Sequence, residues 1–165
     1  MIIAIYAGTG KTTMAKLYPQ TVLDFVCMPY KYVMGQEDVD SEACKANPDN
    51  IMQVDWPYNY VSAIQSALNN CKLLLIPTDV YVLALLRQEN IPYYLCYPQR
   101  SAKEIYRKCF VDRGNTEEFI EIFINKWDSF LATFEKDTYG HHIVLKPNQF
   151  LADVIKSNDL NLLLH

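Results

Sequence analysis

The feature that most constrains this chain is a glycine-rich connection near its amino terminus, between a predicted strand and a predicted helix. Residues 1–6 are apolar and uncharged, which is typical of a buried β-strand, and residues 11–18 are compatible with a helix. Gly8 and Gly10 lie between them. Glycines there let the backbone curl so that successive amides point inward, and the helix adds its positive N-terminal end. The sequence therefore predicts a turn that favours an anion.

Residues 7–13, Ala-Gly-Thr-Gly-Lys-Thr-Thr, partly match the phosphate-binding pattern G-x-x-x-x-G-K-[ST]. The last three positions of the pattern are filled, and Ile5 stands where the first glycine is expected. In this pattern the lysine reaches the β- and γ-phosphates and the threonine hydroxyl coordinates Mg²⁺. We expect six loop residues to bind phosphates: Gly8, Thr9, Gly10, Lys11, Thr12 and Thr13. The alternative is a glycine turn whose lysine is only solvated.

Strands and helices alternate along the rest of the chain. Apolar runs predict further strands at residues 21–26, 72–77, 92–97 and 142–146. The other segments predict helices at residues 58–70, 80–88, 101–111 and 149–156, with one long helix over 115–134. Asn115 and Glu118 have capping-box spacing at the start of that long helix. Because each strand is apolar almost throughout, we expect an α/β fold whose parallel sheet is covered by helices on both faces.

The composition limits the kind of protein this is. A chain of 165 residues is expected to form a single domain, 1–165. The net charge of −4 argues against a general nucleic-acid binder. The apolar runs are too short for a membrane helix, and the amino terminus lacks the basic start of a signal peptide. The five cysteines are odd in number and show no C-x-x-C spacing. We therefore expect a cytoplasmic protein with free thiols and no membrane partner.

Two aspartates follow or end predicted strands, where open α/β sheets bind ligands. Asp79 comes just after the strand at 72–77, at about the place of the acid that holds Mg²⁺ in phosphate-loop proteins. It is equally well placed to cap the next helix, and the sequence does not separate these two roles. Asp24 lies in the second predicted strand. We interpret it as a candidate catalytic base or substrate contact, the alternative being a turn residue at the strand end.

Three of the chain's four arginines, Arg100, Arg107 and Arg113, lie within fourteen residues. The spacing of Arg100, Lys103 and Arg107 places these three side chains along one side of a helix. A guanidinium group stays charged and its planar fork suits phosphate oxygens, so we expect the arginines to stabilise a phosphoryl group during its transfer. The alternative is a solvated helix face with ion pairs to nearby acidic residues.

Two other groups of residues suggest ligands less strongly. Five aromatic residues have two equally supported interpretations, since they either stack on a nucleobase or line the core. They are Tyr30, Tyr32, Trp56, Tyr58 and Tyr60. The adjacent His141 and His142 do not predict a metal site, because neighbouring side chains of a strand point in opposite directions and no further ligand spacing completes a set.

With these features together, the chain resembles the P-loop nucleoside and nucleotide kinases of the adenylate kinase type. It looks most like small adenylate-kinase-like proteins predicted in bacteria and their phages. The matching stretches run over nearly the whole chain and comprise residues 8–13, 55–60, 91–98 and 113–115, the last leading into a helix with Trp127. The loop is moderately specific, and the other stretches are specific to the group without fixing a substrate.

The resemblance implies a three-layer P-loop NTPase fold with a five-stranded parallel sheet in the order 2-3-1-4-5. It also implies a helical lid at residues 99–115, bearing the three arginines, and an acceptor-side insertion at residues 28–57. By position, Lys11 and Thr12 would hold ATP and Mg²⁺. The implied activity is transfer of the γ-phosphoryl group of ATP to a nucleoside monophosphate or a nucleoside, in the host cytoplasm if the protein is phage-encoded. The alternative is a protein that only binds or senses ATP, or hydrolyses it slowly.

One departure from the kinase pattern concerns the acceptor. Nucleotide kinases usually carry an arginine in the acceptor-binding helices, whereas residues 35–55 contain six acidic residues against the single Lys45. An acidic segment repels a monophosphate. Either Lys31 or Arg87 meets the acceptor's phosphate, or the acceptor is uncharged, such as a nucleoside or another hydroxyl compound.

Overall fold

The centre of the protein is a five-stranded parallel sheet. The structure is a computed structural model that describes residues 1–33 and 51–157. Its strands are β1 (Ile2–Ile5), β2 (Val22–Asp24), β3 (Leu73–Pro77), β4 (Tyr94–Pro98) and β5 (His141–Leu145). They lie in the order β2-β3-β1-β4-β5, and every neighbouring pair is parallel. The α/β class and the predicted strand order are therefore confirmed.

Helices cover both faces of this sheet. They are α1 (Lys11–Leu17), α2 (Met28–Lys31), α3 (Tyr58–Ala67), α4 (Val80–Gln88), a 3₁₀ turn (Arg100–Ala102), α5 (Lys103–Asp112), α6 (Glu117–Asn125), α7 (Trp127–Glu135) and α8 (Leu151–Ser157). Buried residues of α1 and α8 pack against one face, and buried residues of α3 to α7 pack against the other. Residues 34–50 of the predicted insertion, with Lys45 and Cys44, lie outside the described residues.

The strand sequences explain this layered arrangement. Side chains alternate between the two faces of a strand, so in β1 Ile2 and Ala4 enter one core while Ile3 and Ile5 enter the other. All four are at most 2% exposed. A strand that is apolar at every position is stable only where both of its faces are covered, which is the situation of a central strand in a parallel sheet.

The larger of the two cores fixes the start of the glycine loop. Tyr6 directly follows β1, and its ring contacts the fully buried Trp127 edge to face at 5.6 Å. The Tyr6 hydroxyl donates a hydrogen bond to the Phe123 carbonyl at 3.1 Å. Burial raises the pKa of Tyr6, so the phenol stays neutral. The chain therefore leaves β1 in a direction set by α6 and α7.

The prediction of one long helix at 115–134 is wrong in two respects. It is divided at Lys126 into α6 and α7. The apolar stripe does not reveal the break because the dihedrals of Lys126, φ −91° and ψ 7°, remain close to helical and preserve the phase of the pattern. The N-cap is Thr116 rather than Asn115, since the Thr116 backbone is extended and its hydroxyl accepts from the Phe119 amide at 3.3 Å.

Two expectations from composition are addressed by the described residues. The cysteines among them, Cys27, Cys71, Cys96 and Cys109, are free thiols. Over residues 1–33 and 51–157, none of the helices combines the length and apolar character needed to cross a bilayer.

Candidate functional site

The glycine loop forms a tight turn at the carboxyl end of β1. Gly8 and Gly10 have φ angles of +83° and +103°, in the left-handed region where a side chain is strained. Thr9 between them is 1% exposed, and its hydroxyl donates to the Tyr6 carbonyl at 2.7 Å. Gly10 is the N-cap residue of α1 and has no side chain that could accept a hydrogen bond from the first amides of this helix. The loop thus presents amide donors beside the start of α1.

Two segments press on this loop from either side. A Cβ added to Gly8 would lie 2.7 Å from the ring of Phe110 and 3.3 Å from the ring of Tyr106, both on α5. On the other side, the Leu151 amide donates to the Thr9 carbonyl at 3.0 Å. The loop therefore has no room for a side chain at position 8, and the start of α8 holds it in place.

Two parts of the sequence meet here, because Lys11 and Thr12, at the end of the loop, both contact Asp24. The ammonium group of Lys11 lies 2.5 Å from Asp24 Oδ1. The hydroxyl of Thr12 donates to Asp24 Oδ2 at 2.9 Å. Asp24 is the last residue of β2, and the side chains of Lys11 and Asp24 are 22% and 18% exposed. A positive group, a hydroxyl and a carboxylate therefore share one partly buried location at the carboxyl edge of the sheet.

This group fits Mg²⁺ in its donor chemistry. Mg²⁺ prefers hard oxygen ligands and is commonly held by one or two carboxylates together with substrate phosphates. The Thr12 hydroxyl and the Asp24 carboxylate supply such oxygens and already contact each other. Asp24, rather than Asp79, is the carboxylate that the structure brings to Thr12.

Asp79 has the capping role that the sequence left open. Its carboxylate accepts from the amides of Tyr81 at 3.0 Å and Val82 at 3.4 Å, at the start of α4. Its other oxygen lies 2.7 Å from the ammonium group of Lys31. Burial, the largest single effect, lowers the pKa of Lys31, but the hydrogen bond to Asp79 and the negative charge of Asp79 together outweigh it, so the pKa is raised. Lys31 therefore remains a paired cation.

The side chains of α5 nearest to Gly8 are those of Phe110 and Tyr106, and two of the three arginines of the predicted cluster are paired with acidic residues. Arg100 donates to both carboxylate oxygens of Glu135, at 3.0 and 2.7 Å, and is also paired with Asp128. Arg107 lies 3.5 Å from Glu104, and Arg113 is the exposed C-cap of α5. The residues of α5 that do contact the loop are aromatic. Sequence reasoning missed them, although Tyr106 and Phe110 are four residues apart and so share one helix face.

Arg87 lies at the far end of α4 from Asp79. Its guanidinium group donates to Asp137 at 2.9 Å and to the Tyr93 hydroxyl at 3.0 Å. The Asp137 side chain is 5% exposed and also accepts from the amides of Tyr139 and Gly140. This arrangement joins the end of α4 to the connection before β5, so Arg87 has a structural role at the amino edge of the sheet.

Four rings form an aromatic wall beside β2: Phe25, Tyr30, Trp56 and Tyr60. Tyr60 stacks on Phe25 at 5.2 Å and on Trp56 at 5.6 Å. Tyr60 and Trp56 are buried and belong to the core, whereas Phe25 and Tyr30 are half-buried. Tyr58 is exposed. Trp56 and Tyr60 therefore line the core, as one interpretation of these residues expected, whereas the half-buried Tyr30 keeps part of its ring accessible to a ligand. Phe25 also belongs to this group of rings, although it was not among the aromatic residues singled out from the sequence.

Comparison with known proteins adds no family assignment. The sequence matches no protein-family model, and a search of curated proteins gave no significant match. The kinase resemblance therefore rests on the residues of this chain.

Proposed function

We propose that this protein is an ATP-dependent phosphotransferase that binds MgATP at residues 8–13 and transfers the γ-phosphoryl group to a nucleotide or nucleoside. The observation that supports this most is the meeting of Lys11, Thr12 and Asp24 beside a left-handed glycine turn. Phosphoryl transfer depends mainly on positioning and on neutralising phosphate charge. A loop of amides with an adjacent lysine and a carboxylate–hydroxyl pair supplies both.

Each residue has a definite task in this proposal. The loop amides and Lys11 bind the β- and γ-phosphate oxygens. Lys11 leaves Asp24 when the triphosphate arrives, because the polyphosphate offers it a larger negative charge. Mg²⁺, when bound at Thr12 and Asp24, supplies positive charge that offsets the charge of the phosphates.

The transfer itself is a substitution at phosphorus. A lone pair of the acceptor oxygen forms a bond to the γ-phosphorus, and the bond from that phosphorus to the β,γ-bridging oxygen breaks, so that ADP leaves with the electron pair. For a hydroxyl acceptor, the proton passes to solvent. A carboxylate that holds Mg²⁺ is a weak base, so Asp24 serves in this proposal as a metal ligand and not as the base. Arg100, Arg107 and Arg113 serve as cations only if α5 and the 3₁₀ turn move. Exposed ion pairs such as those of Arg100 oppose such a movement weakly.

A second candidate function is supported by the contacts of Gly8. The α5 side chains on the loop are Phe110 and Tyr106, not arginines. With the arginines away from the phosphates, the same loop would bind MgATP and hydrolyse it slowly without transferring the phosphoryl group. This is the binding or sensing alternative.

The test compares Lys11→Met with Lys16→Met, which changes an exposed lysine of the same helix. Calorimetric titration with MgATP should show that Lys11→Met loses about 10- to 100-fold in affinity, as expected for one charge-assisted hydrogen bond, while Lys16→Met binds like the wild type. Equal affinity of the two variants would refute the proposal. ADP release across nucleosides and monophosphates then separates the two candidates, since only a transferase is accelerated by an acceptor.

A further inference from the structure

The charges beside the aromatic wall bear on the class of acceptor. Lys31 lies against this wall, with its ammonium group 5.3 Å from the centre of the Trp56 ring. It is bonded to Asp79 at 2.7 Å, and the two side chains are only 19% and 13% exposed. Lys11 is likewise paired with Asp24. Two lysines and two aspartates at this edge therefore sum to no net charge.

The other cation that the sequence offered for an acceptor phosphate is too far away. Arg87 follows Asp79 by eight residues along α4, which corresponds to about 12 Å at the helical rise of 1.5 Å per residue. Its guanidinium group is held by Asp137 and Tyr93 at the opposite edge of the sheet. Residues 34–50 contribute one basic residue, Lys45, against five acidic residues by composition.

We propose that the acceptor is an uncharged nucleoside and not a nucleoside monophosphate. This inference rests on the proposed function, in which MgATP already brings net negative charge to Lys11. A second phosphate would have to lie near Asp24 and Asp79. Lys31 could bind it only by leaving the Asp79 carboxylate without a cation, and Arg87 is held at the opposite edge of the sheet. Binding an uncompensated dianion there is unfavourable, whereas a neutral hydroxyl compound meets no such penalty.

The aromatic wall supplies what a nucleoside needs instead of charge. Phe25 directly follows Asp24, and the half-buried rings of Phe25 and Tyr30 lie 5.5 Å apart. Flat aromatic surfaces stack on nucleobases. In addition, the Trp56 indole N–H is buried and has no hydrogen-bond partner within the described residues. A buried N–H without a partner is costly, so an acceptor atom of a ligand would be favoured there.

The first experiment measures binding of matched pairs. The full chain, saturated with a Mg²⁺ complex of a non-hydrolysable ATP analogue, is titrated with each of the four common deoxynucleosides and with its 5′-monophosphate. We expect at least one nucleoside to bind about tenfold or more tightly than its own monophosphate. The inference is overturned if every monophosphate binds as tightly as its nucleoside, or if no nucleoside binds. Loss of binding of the ATP analogue itself would instead refute the proposed function.

A second experiment reverses the preference by releasing Lys31. Asp79→Asn keeps a side chain that caps α4 well but removes the charge that neutralises Lys31. The monophosphate should then gain about tenfold in affinity relative to its nucleoside, since one charge-assisted hydrogen bond becomes available. Glu121→Gln, at an exposed position of α6, makes the same change in net charge and should leave the preference unaltered. An unchanged preference in Asp79→Asn, or an equal gain in Glu121→Gln, would contradict the inference.

Discussion

Gly8→Ala should destabilise the protein much more than a glycine substitution usually does. An alanine at φ +83° costs about 1–2 kcal/mol because left-handed backbone disfavours a Cβ. The new Cβ would also lie 2.7 Å from Phe110 Cε1, on a ring that is fully buried and so has little room to move. Overpacking of this kind adds about 1–3 kcal/mol. The free energy of unfolding should therefore fall by roughly 2–5 kcal/mol.

Gly114→Ala is the matched control for this prediction. Gly114 has φ +71°, and a Cβ there would meet no atom within 4 Å, so only the backbone cost of about 1–2 kcal/mol applies. Denaturant unfolding of the two variants and the wild type measures the difference. If Gly8→Ala and Gly114→Ala lose equal stability, then α5 does not press on the loop as described.

Two further changes test the structure around the site. Asp137→Asn should cost about 2 kcal/mol at neutral pH, since it weakens bonds from Arg87, Tyr93 and two amides to one carboxylate. Burial alone raises the pKa of Asp137, but these bonds outweigh it, so the pKa is lowered. The stabilisation is therefore fully present above the unfolded-state pKa of about 3.9, and it is lost as the pH falls through the folded-state pKa. The stability difference between the wild type and Asp137→Asn should therefore shrink in acid, and a pH-independent difference would be inconsistent with this. Thr116→Ala should lower the free energy of unfolding by about 1 kcal/mol in the same assay, because α6 loses its N-cap hydrogen bond. Unchanged stability would indicate that Asn115 and not Thr116 caps α6.

The sequence predicts the sheet well because the strands carry the signal locally. Each is a short and mostly apolar run, and β3 and β4 differ from their predicted bounds, 72–77 and 92–97, by at most two residues at either end. The strand order came from the resemblance and not from these runs, since apolar character says which segments are strands but not which are neighbours. The break at Lys126 was not predictable because the apolar residues before and after it continue the same helical spacing.

The candidate site was only partly predictable because its contacts depend on distant pairing. The loop and Lys11 are visible as a contiguous pattern, whereas the bond from Thr12 to Asp24 depends on the packing of α1 against β2. The sequence left Asp79 undecided between two roles, and only its partners distinguish them. The partners of Arg100 were not predictable either, because Glu135 and Asp128, on α7, are distant from it in the sequence.

The most direct test of the account is whether the amides of the glycine loop receive the phosphates of ATP. The chain has only five glycines, so ¹⁵N-glycine labelling gives a spectrum with few signals, which substitution of each glycine in turn assigns. On addition of MgATP, the amide signals of Gly8 and Gly10 should shift in a saturable manner. The signal of Gly140, which precedes β5 at the opposite edge of the sheet, should stay in place. Unmoved Gly8 and Gly10 signals at saturating MgATP would contradict the account.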